Sequence, residues 1–327
     1  MPADASRDQP AGEDPLVRDL AGACAGRVEA EASLAELTTL KVGGSARALL
    51  VAERDEDLHA AGEICEAHGV PCLVVGRGSN MLVADRGWDG LAIALGRRYR
   101  GFRLVEGDSS RQHERPQAIA GAAEPMPLLA SRLADEGLAG FAWAAAVPGS
   151  VGGAVRMNAG AHGREIADQL VSADVVRLGD GARQTLLGRE LGFGYRRSNL
   201  PPDAVVVAAT LALERGEPGA ERARITEVKA WRRAHQPINQ PNCGSVFTNP
   251  PGDSAGRLVE TAGGKGLRVG GAQVSELHAN FIVTQPGATA ADVRALVVRL
   301  QQLVEERHGQ RLRTEVVMVG QFEDTRP

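Results

Sequence analysis

Four residues that could take part in one reaction are spread through the second half of the chain. Ser245 lies in NCGSVFTNP, between a glycine turn and a polar stretch closed by proline. Glu315 begins an apolar run about 70 residues later, and Tyr195 and Arg196 lie in FGYRRSN about 50 residues earlier. A hydroxyl, a carboxylate and a guanidinium are thus available to one site, where they could donate a proton and stabilise negative charge.

Each of these residues also has an ordinary interpretation. A serine after a glycine is common in strands and turns, so the serine segment alone is a weak signal. Glu315 could pair with a neighbouring arginine such as Arg313, and Arg196 could be a solvated loop cation. The chemical interpretation therefore depends on whether the fold brings the three segments together.

Two glycine-rich segments could bring the backbone close to a ligand. GRGSNMLVAD, residues 76–85, follows an apolar run, and its glycines expose N–H groups of the kind that hold a pyrophosphate. It lacks the third glycine and the helix of the dinucleotide fingerprint, so an ordinary turn stays open. VPGSVGGAVRMNAG, residues 147–160, sets small residues around Asn158, which indicates either close approach to a ligand or a tight crossing of strands.

Other catalytic motifs fit the sequence poorly. PGSVGG resembles the nucleophile elbow of hydrolases, but Pro148 replaces the first glycine and no triad histidine is evident. Cys24, Cys65, Cys72 and Cys243 form no CxxC pair, so buried free thiols are favoured over disulfides or a zinc site. Cys243 lies two residues before Ser245, and a reactive thiol there stays an alternative. No motif requires a metal.

Length and composition bound the class of protein. The chain has 327 residues, which favours two domains, and a net charge of −4, which gives no general attraction to nucleic acid. No apolar run approaches the roughly 18 residues of a membrane helix, and the N-terminus lacks a signal pattern. We therefore expect a cytoplasmic protein that binds no nucleic acid and does not insert into a membrane.

The hydrophobic pattern predicts an α+β protein. The first 30 residues or so read as a loose tail running into a short helix, and a β-α-β unit follows from residue 41 to residue 76. Antiparallel strands are predicted over 171–178 and 204–213. The last third alternates helices with strands, and its long helix over 289–308 starts at Thr289 and stops at Gly309.

Nine motifs in order resemble the UDP-N-acetylenolpyruvoylglucosamine reductase family of flavoenzymes, in its shorter form. The resemblance covers about residues 35–322. The motifs are KVGG at 41, VGRGSNMLVAD at 75, AAVPGSVGGAVRMNAGAHG at 145, FGYRRSN at 193, RRAHQP at 232, CGSVFTNP at 243, AGRLVETAGGKG at 255, GGAQVSELHANFIV at 270 and RLRTEVV at 311.

This resemblance implies a domain organisation and an activity. After a flexible N-terminal extension over 1–37, an FAD-binding domain of the vanillyl-alcohol-oxidase (PCMH) type, made of two α+β subdomains, is expected over 38–215. An α+β substrate-binding domain is expected over 216–325. The implied activity is the NADPH-dependent, FAD-mediated reduction of UDP-N-acetylglucosamine enolpyruvate during peptidoglycan synthesis, by a monomer.

The resemblance also assigns cofactor residues. The expected FAD-binding residues are Gly76, Arg77, Gly78, Ser79, Asn80, Gly149, Ser150, Gly153, Ala154 and Asn158. Arg77 stands where the family more usually has a small residue, so the sequence does not show where its side chain points.

By the same resemblance, Ser245 is the proton donor, assisted by Glu315 and Arg196. The residues expected at the substrate are Tyr195, Asn249, Arg232 and Arg233. Thr248 departs from the family, since many members have lysine there, and Arg232 or Arg233 could supply the missing phosphate contact. His162 is a second departure, because tyrosine is common at its position.

Two competing functions stay open on the sequence. Another flavin oxidase of the same superfamily would share the glycine segments, but has no reason to carry CGSVFTNP together with RLRTEVV. A non-enzymatic sugar-nucleotide sensor would bind ligand without turnover, and the serine, arginine and glutamate set argues against it.

Overall fold

The computed structural model describes residues 14–105 and 115–323. The helices are α1 Pro15–Ala23, α2 Leu34–Leu37, α3 Asp55–His68, α4 Met126–Asp135, α5 Val151–Arg156, α6 Pro218–His235, α7 Ala255–Thr261 and α8 Ala290–His308. The strands are β1 Arg27–Ser33, β2 Ser45–Ala52, β3 Cys72–Val75, β4 Met81–Val83, β5 Trp88–Leu95, β6 Phe102–Val105, β7 Gln117–Gly121, β8 Leu138–Ala139, β9 Gly160–Ala161, β10 Arg164–Glu165, β11 Leu170–Arg177, β12 Arg183–Leu187, β13 Ala204–Ala212, β14 Glu214–Arg215, β15 Asn242–Ser245, β16 Arg268–Val269, β17 Ala272–Val274, β18 Phe281–Thr284 and β19 Val317–Val319. None of the helices described here combines the length and the apolar character needed to cross a membrane.

The first sheet has the strand order β1-β2-β5-β3 and carries the first glycine-rich segment. β2 and β3 each pair in parallel with β5, so the predicted β-α-β unit is confirmed, with β5 inserted between its two strands. The crossover is α3, which ends at Gly69 in the left-handed conformation. β3 leads directly into Gly76, so the sheet fixes where the glycine loop begins.

The expectation of a flexible extension over 1–37 is wrong for residues 14–37. These form α1, β1 and α2, and Leu16 and Leu20 of α1 have no exposed surface. The Asp14 carboxylate accepts the Leu16 N–H and two hydrogen bonds from Arg47, which caps the helix and anchors it to β2. Each buried leucine stabilises the fold by about 2 kcal/mol. Residues 1–13 lie outside the described residues.

The second sheet is antiparallel, with the order β12-β11-β13-β7-β6. Its β11 and β13 are the two predicted antiparallel strands, which pair over Leu170–Arg177 and Ala204–Leu211. α4 and α5 cover this sheet, and the second glycine-rich segment runs into α5 at Val151. The two glycine-rich segments therefore come from the two different sheets of the predicted FAD-binding domain.

A third core lies in the last third of the chain, where α7 and α8 pack on the sheet β15-β18-β17-β16. The prediction for α8 is confirmed: Thr289 Oγ1 accepts the Asp292 N–H at 3.1 Å, and Gly309 ends the helix with φ +65°. Leu40, Val42 and Leu82 from the first half of the chain also belong to this core. The two halves thus share buried surface.

The position of α6 bears on the predicted boundary at residue 216, which stays a prediction. Ile225 of α6 packs into the core around the second sheet. The Glu221 carboxylate, 3 % exposed, accepts the N–H groups of Gly140, Phe141 and Ala142. α6 is therefore fastened to the FAD-binding part, and the core of the last third begins near β15.

The C-terminal strand returns to the first half of the chain. β19 pairs in parallel with β4, with Val317 opposite Met81. β4 immediately follows the glycine loop, so this pairing brings the segment just before β19, which contains Glu315, against the loop.

Candidate active site

Arg196 and Glu315 form an ion pair at the meeting point of the two halves. Arg196 Nε donates to Glu315 Oε1 at 2.8 Å, and Arg196 Nη2 donates to the Gly160 carbonyl at 3.3 Å. The Glu315 side chain is 12 % exposed and that of Arg196 24 % exposed. The guanidinium is therefore neither a solvated loop cation nor free, and the carboxylate pairs with Arg196 rather than with Arg313.

Two neighbouring segments hold Glu315 by its backbone. Its N–H donates to the Val246 carbonyl at 2.8 Å, and its carbonyl accepts from Asn80 Nδ2 at 3.1 Å. Val246 directly follows Ser245, the last residue of β15, so the serine and the ion pair lie on adjoining segments. We call Ser245, Glu315 and Arg196 the reaction corner.

The Ser245 hydroxyl is available within the reaction corner. The residue is half-buried, and its Oγ has no hydrogen-bond partner within residues 14–105 and 115–323. Gly244 precedes it with φ +74°, a conformation that favours glycine, which explains why a glycine turn leads into the serine.

Burial and charge act in opposite directions on Glu315. Desolvation raises the pKa of its carboxyl, and the neighbouring Arg196 guanidinium partly offsets this. Burial also raises the pKa of the Cys243 thiol to about 12, which keeps it protonated at neutral pH. Burial of Cys243, which is 2 % exposed, therefore favours a packing role over a reactive thiol, because the thiolate is the nucleophilic form.

Tyr195 and Arg196 are the two central residues of a tight turn closed by Gly194 and Arg197, whose N–H groups each donate to the other's carbonyl at 3.1 Å. Arg196 has φ +55°, and its guanidinium carbon lies 4.8 Å from the centre of the Tyr195 ring. Tyr195 itself is 51 % exposed. The turn thus holds the guanidinium toward Glu315 and leaves the phenol open to solvent.

Asn158 holds this turn rather than facing a ligand. It has no exposed surface, its Oδ1 accepts the Ala167 N–H, and its Nδ2 donates to the Gly194 carbonyl at 3.1 Å. Both ends of its amide are therefore occupied by the protein. The place of Asn158 in the glycine-rich motif predicted a position near the cofactor, whereas its contacts show that it supports the turn bearing Arg196.

The loop over residues 76–80 lies against the second glycine-rich segment. A Cβ at Gly76 would lie 2.7 Å from Ser150 Oγ, and one at Gly78, which has φ +57°, would overlap the Leu37 carbonyl oxygen. Arg77 Nε donates to the Pro148 carbonyl at 2.9 Å. Gly76 is thus needed for close packing between the two segments, Gly78 allows the loop to pack against the end of α2, and Arg77 spans the two segments.

Only part of the second segment faces open space. Ser150 and Gly153 line a cavity of about 140 Å³ together with Gly76 and Arg77, whereas Ala154 is 2 % exposed and belongs to the core. A Cβ at Gly149 would lie 3.5 Å from Ser79 Oγ, so Gly149 faces the loop.

Two arginines that the sequence did not single out line the same cavity. Arg100 and Arg156 join Arg77 there, beside apolar residues such as Val74, Leu95 and Val205. Arg156 Nη2 donates to the carbonyls of Pro201 and Ala204, and burial lowers the pKa of its guanidinium. We call this the arginine-lined cavity. Arg156 follows a glycine-rich stretch, and no local pattern marks it as a ligand-facing residue.

The residues expected at the substrate differ in how many of their polar groups are already bonded to the protein. Asn249 Oδ1 accepts the Ala255 N–H at 3.0 Å and so caps α7, while Thr248 Oγ1 donates to the Arg313 carbonyl. Arg232 is half-buried, with burial lowering its pKa, and its Nε donates to Gln236. Arg233 is exposed and has no ion-pair partner within the described residues.

Comparisons with known proteins agree with this arrangement. Residues 46–186 match the family described as FAD binding domain, and residues 236–319 match UDP-N-acetylenolpyruvoylglucosamine reductase, C-terminal domain. The UDP-N-acetylenolpyruvoylglucosamine reductase of Trichormus variabilis is 44% identical over 299 residues, 90% of this chain and 87% of that protein. That of Halalkalibacterium halodurans is 40% identical over 307 residues, 94% of this chain and 99% of that protein.

A solved structure gives the same picture. UDP-N-acetylenolpyruvylglucosamine reductase (MurB) from Thermus caldophilus superposes with a TM-score of 0.76 at 38% identity, covering 90% of this chain and 100% of that chain. Together with the two family matches, this confirms the predicted α+β class, with an FAD-binding domain ahead of a separate C-terminal domain.

Proposed function

The chain belongs to the UDP-N-acetylenolpyruvoylglucosamine reductase family, and on this premise we propose that its reaction corner is the site at which the substrate is reduced. The activity is that of a UDP-N-acetylmuramate dehydrogenase: the NADPH-dependent, FAD-mediated reduction of UDP-N-acetylglucosamine enolpyruvate to UDP-N-acetylmuramate in peptidoglycan synthesis. The observation that carries the placement is the Arg196–Glu315 pair, which joins distant parts of the chain beside Ser245.

The residues present fit FAD. The glycine loop allows a close approach of backbone N–H groups, and the arginine-lined cavity combines positive charge with apolar walls, as an adenylate requires. Gly76 and Arg77 border the cavity, while Asn80 bonds the Glu315 carbonyl, so the loop links the cavity to the reaction corner. Four residues span at most about 14 Å. Gly76, Arg77, Ser150 and Arg156 would hold the phosphate-bearing part of FAD, and the loop that ends at Asn80 would lead toward the reaction corner.

FAD, when bound, supplies the two-electron chemistry that connects NADPH with the alkene. Hydride addition to one alkene carbon of the enolpyruvyl ether makes negative charge build toward the carboxylate. Arg196 is placed to stabilise that charge, because its planar guanidinium keeps donors beyond the one used by Glu315. Glu315 and Gly160 fix its orientation.

Ser245 then donates the proton to the second carbon. A serine hydroxyl is a weak acid, so its position beside a strongly basic carbon and the exclusion of water must provide the advantage. Glu315, which lies on the segment adjoining Ser245 and whose carboxyl pKa is raised by burial, is proposed to return a proton to the serine, directly or through water. The three side chains thus have separate roles in one protonation step.

The rest of the substrate extends away from the reaction corner. We propose that Tyr195, Arg233 and Arg232 bind the diphosphate: Tyr195 is 51 % exposed, and the half-buried Arg232 would gain most from an anionic partner because it is desolvated. Asn249 supports the start of α7 through its Oδ1, and its amide nitrogen is proposed to contact the diphosphate. We further propose that the protein acts as a monomer in the cytoplasm and that its product serves cell-wall growth and division.

NADPH consumption measured with and without UDP-N-acetylglucosamine enolpyruvate tests this proposal. We expect anaerobic NADPH oxidation that stops without the enolpyruvyl substrate after one flavin equivalent. Rapid turnover with oxygen alone would favour the flavin oxidase alternative. Binding of the sugar nucleotide without any NADPH oxidation would favour the sensor.

A further inference from the structure

Three aromatic rings pack together on the surface beside the reaction corner. The Trp231 ring stacks on the His235 ring, with centres 4.6 Å apart and planes inclined by 16°. The His162 ring meets Trp231 edge to face at 5.0 Å, and His235 Nδ1 lies 2.8 Å from the Trp231 carbonyl. We call Trp231, His162 and His235 the aromatic cluster.

The aromatic cluster joins two elements that the reaction uses. His162 lies between β9 and β10, two residues after Gly160, whose carbonyl accepts from Arg196. Two residues span at most about 7 Å, so the backbone of His162 lies within about 7 Å of the backbone of Gly160. Trp231 and His235 lie in the last turn of α6, with Arg232 and Arg233 between them.

The Trp231 side chain is held in place by neighbouring rings and is nevertheless exposed to solvent. Its side chain is 44 % exposed, although two histidines pack against it, whereas Trp143 is 4 % exposed in the core. A tryptophan held in one orientation loses little conformational freedom when a flat ring packs on it. An indole with open surface next to two arginines is suited to a planar base that carries phosphates.

We propose that the aromatic cluster forms the stacking surface for the uracil ring of the sugar nucleotide, an inference that rests on the proposed function. With the enolpyruvyl-bearing sugar at the reaction corner and the diphosphate at Arg232 and Arg233, the uridine is the remaining part of the ligand, and its base lies beyond the phosphates. Trp231 adjoins Arg232 in the chain, and His162, which packs on Trp231, lies two residues after Gly160, whose carbonyl accepts from Arg196. The cluster thereby sets the preference for a nucleoside diphosphate sugar over the sugar phosphate alone.

Titration of the FAD-loaded protein with UDP and with inorganic pyrophosphate tests this inference. Trp231→Ala should weaken UDP binding about 10-fold or more, as expected for loss of one base–aromatic stack, and leave pyrophosphate binding unchanged. Trp231→Phe should retain most of the UDP affinity. Leu128→Ala, which removes another exposed apolar side chain on α4, is the matched control and should change neither.

The half-reactions separate this inference from the proposed function. In stopped-flow experiments Trp231→Ala should raise the concentration of enolpyruvyl sugar nucleotide that half-saturates flavin reoxidation, with the half-saturating NADPH concentration unchanged. Equal UDP affinity in wild type and Trp231→Ala, or a loss confined to NADPH, would overturn the stacking role even when the wild type turns over normally. A wild type that does not reduce the sugar nucleotide would instead overturn the function itself.

Discussion

The reaction corner and the arginine-lined cavity are built from different kinds of contact. In the corner, side chains from residues 196 and 315 pair directly, and the serine is placed by a strand. Around the cavity, glycine segments provide the backbone and Arg77 and Arg156 bond to carbonyls rather than to carboxylates. On the proposed function, chemistry would therefore depend on single side chains, whereas cofactor binding would be shared between the backbone and several cations.

The largest expected effect lies in the reaction corner. Ser245→Ala should lower kcat with the enolpyruvyl substrate by about 100-fold or more, because a positioned acid contributes about that much. Steady-state NADPH oxidation measures it, with flavin content as the control for folding. A decrease in kcat of less than about 10-fold would mean that catalysis does not depend on the Ser245 side chain, contrary to the comparison of the reaction corner with the cavity.

Changes at the arginine-lined cavity should act on binding. Arg156→Ala should weaken FAD binding about 10-fold, because one charge-assisted hydrogen bond to a phosphate is worth about 1.5 kcal/mol or more. Quenching of flavin fluorescence in titrations of the apoprotein gives the dissociation constant. Arg98→Ala, exposed near the cavity but not lining it, should leave that constant unchanged. Equal effects of the two variants would contradict the cavity's role.

Tyr195 tests the periphery of the reaction corner. Tyr195→Phe removes one hydroxyl but keeps the ring over Arg196, so KM for the sugar nucleotide should rise about 5-fold while kcat changes little. Initial-rate measurements at saturating NADPH give both constants. An unchanged KM would mean that the phenol does not contact the diphosphate.

The smallest effect concerns stability and pH. Because the folded-state pKa of Glu315 is raised above its ordinary value of 4.5, its contribution to stability is complete below about pH 4.5 and is lost as pH rises through the raised pKa. Each pKa unit corresponds to about 1.4 kcal/mol. Urea unfolding of Glu315→Gln should therefore depend less on pH above pH 4.5 than wild type.

The exposed Glu306→Gln is the control for that measurement. It should retain the wild-type pH dependence, since Glu306 lies on the solvent side of α8. If Glu315→Gln and wild type show the same pH dependence, the Glu315 carboxyl is not destabilised by burial.

The same contrast explains what could be predicted from the sequence. α8 was predictable because its N-terminal cap, its apolar face and its terminal glycine are all local sequence signals. The glycine loop was predictable because closely spaced glycines indicate a tight turn of the backbone. Arg156 and the aromatic cluster were not, because their surroundings come from segments distant in the chain. Asn158 was found by its position in a motif, but its role in holding the Arg196 turn required the contacts of both amide ends.

In the N-terminal segment, the sequence led to an expectation of disorder where the structure has helices and a strand. A composition rich in Pro, Gly, Asp and Ala favoured a loose tail, yet residues 14–37 are ordered because Leu16 and Leu20 find a core and Asp14 finds Arg47. Local composition does not report partners that tertiary structure provides. Glu315 was singled out as a partner of Ser245, but its contact with Arg196, 119 residues away, was not predictable, because the return of β19 to β4 helps to bring the two together.

The most direct test divides the loss in Ser245→Ala between the two half-reactions by anaerobic stopped-flow absorbance of the flavin. The proposed role of the reaction corner is to act on the alkene, so flavin reduction by NADPH should proceed at the wild-type rate while reoxidation by the enolpyruvyl sugar nucleotide slows by about 100-fold. Equal slowing of both half-reactions would contradict the assignment of Ser245 as the proton donor.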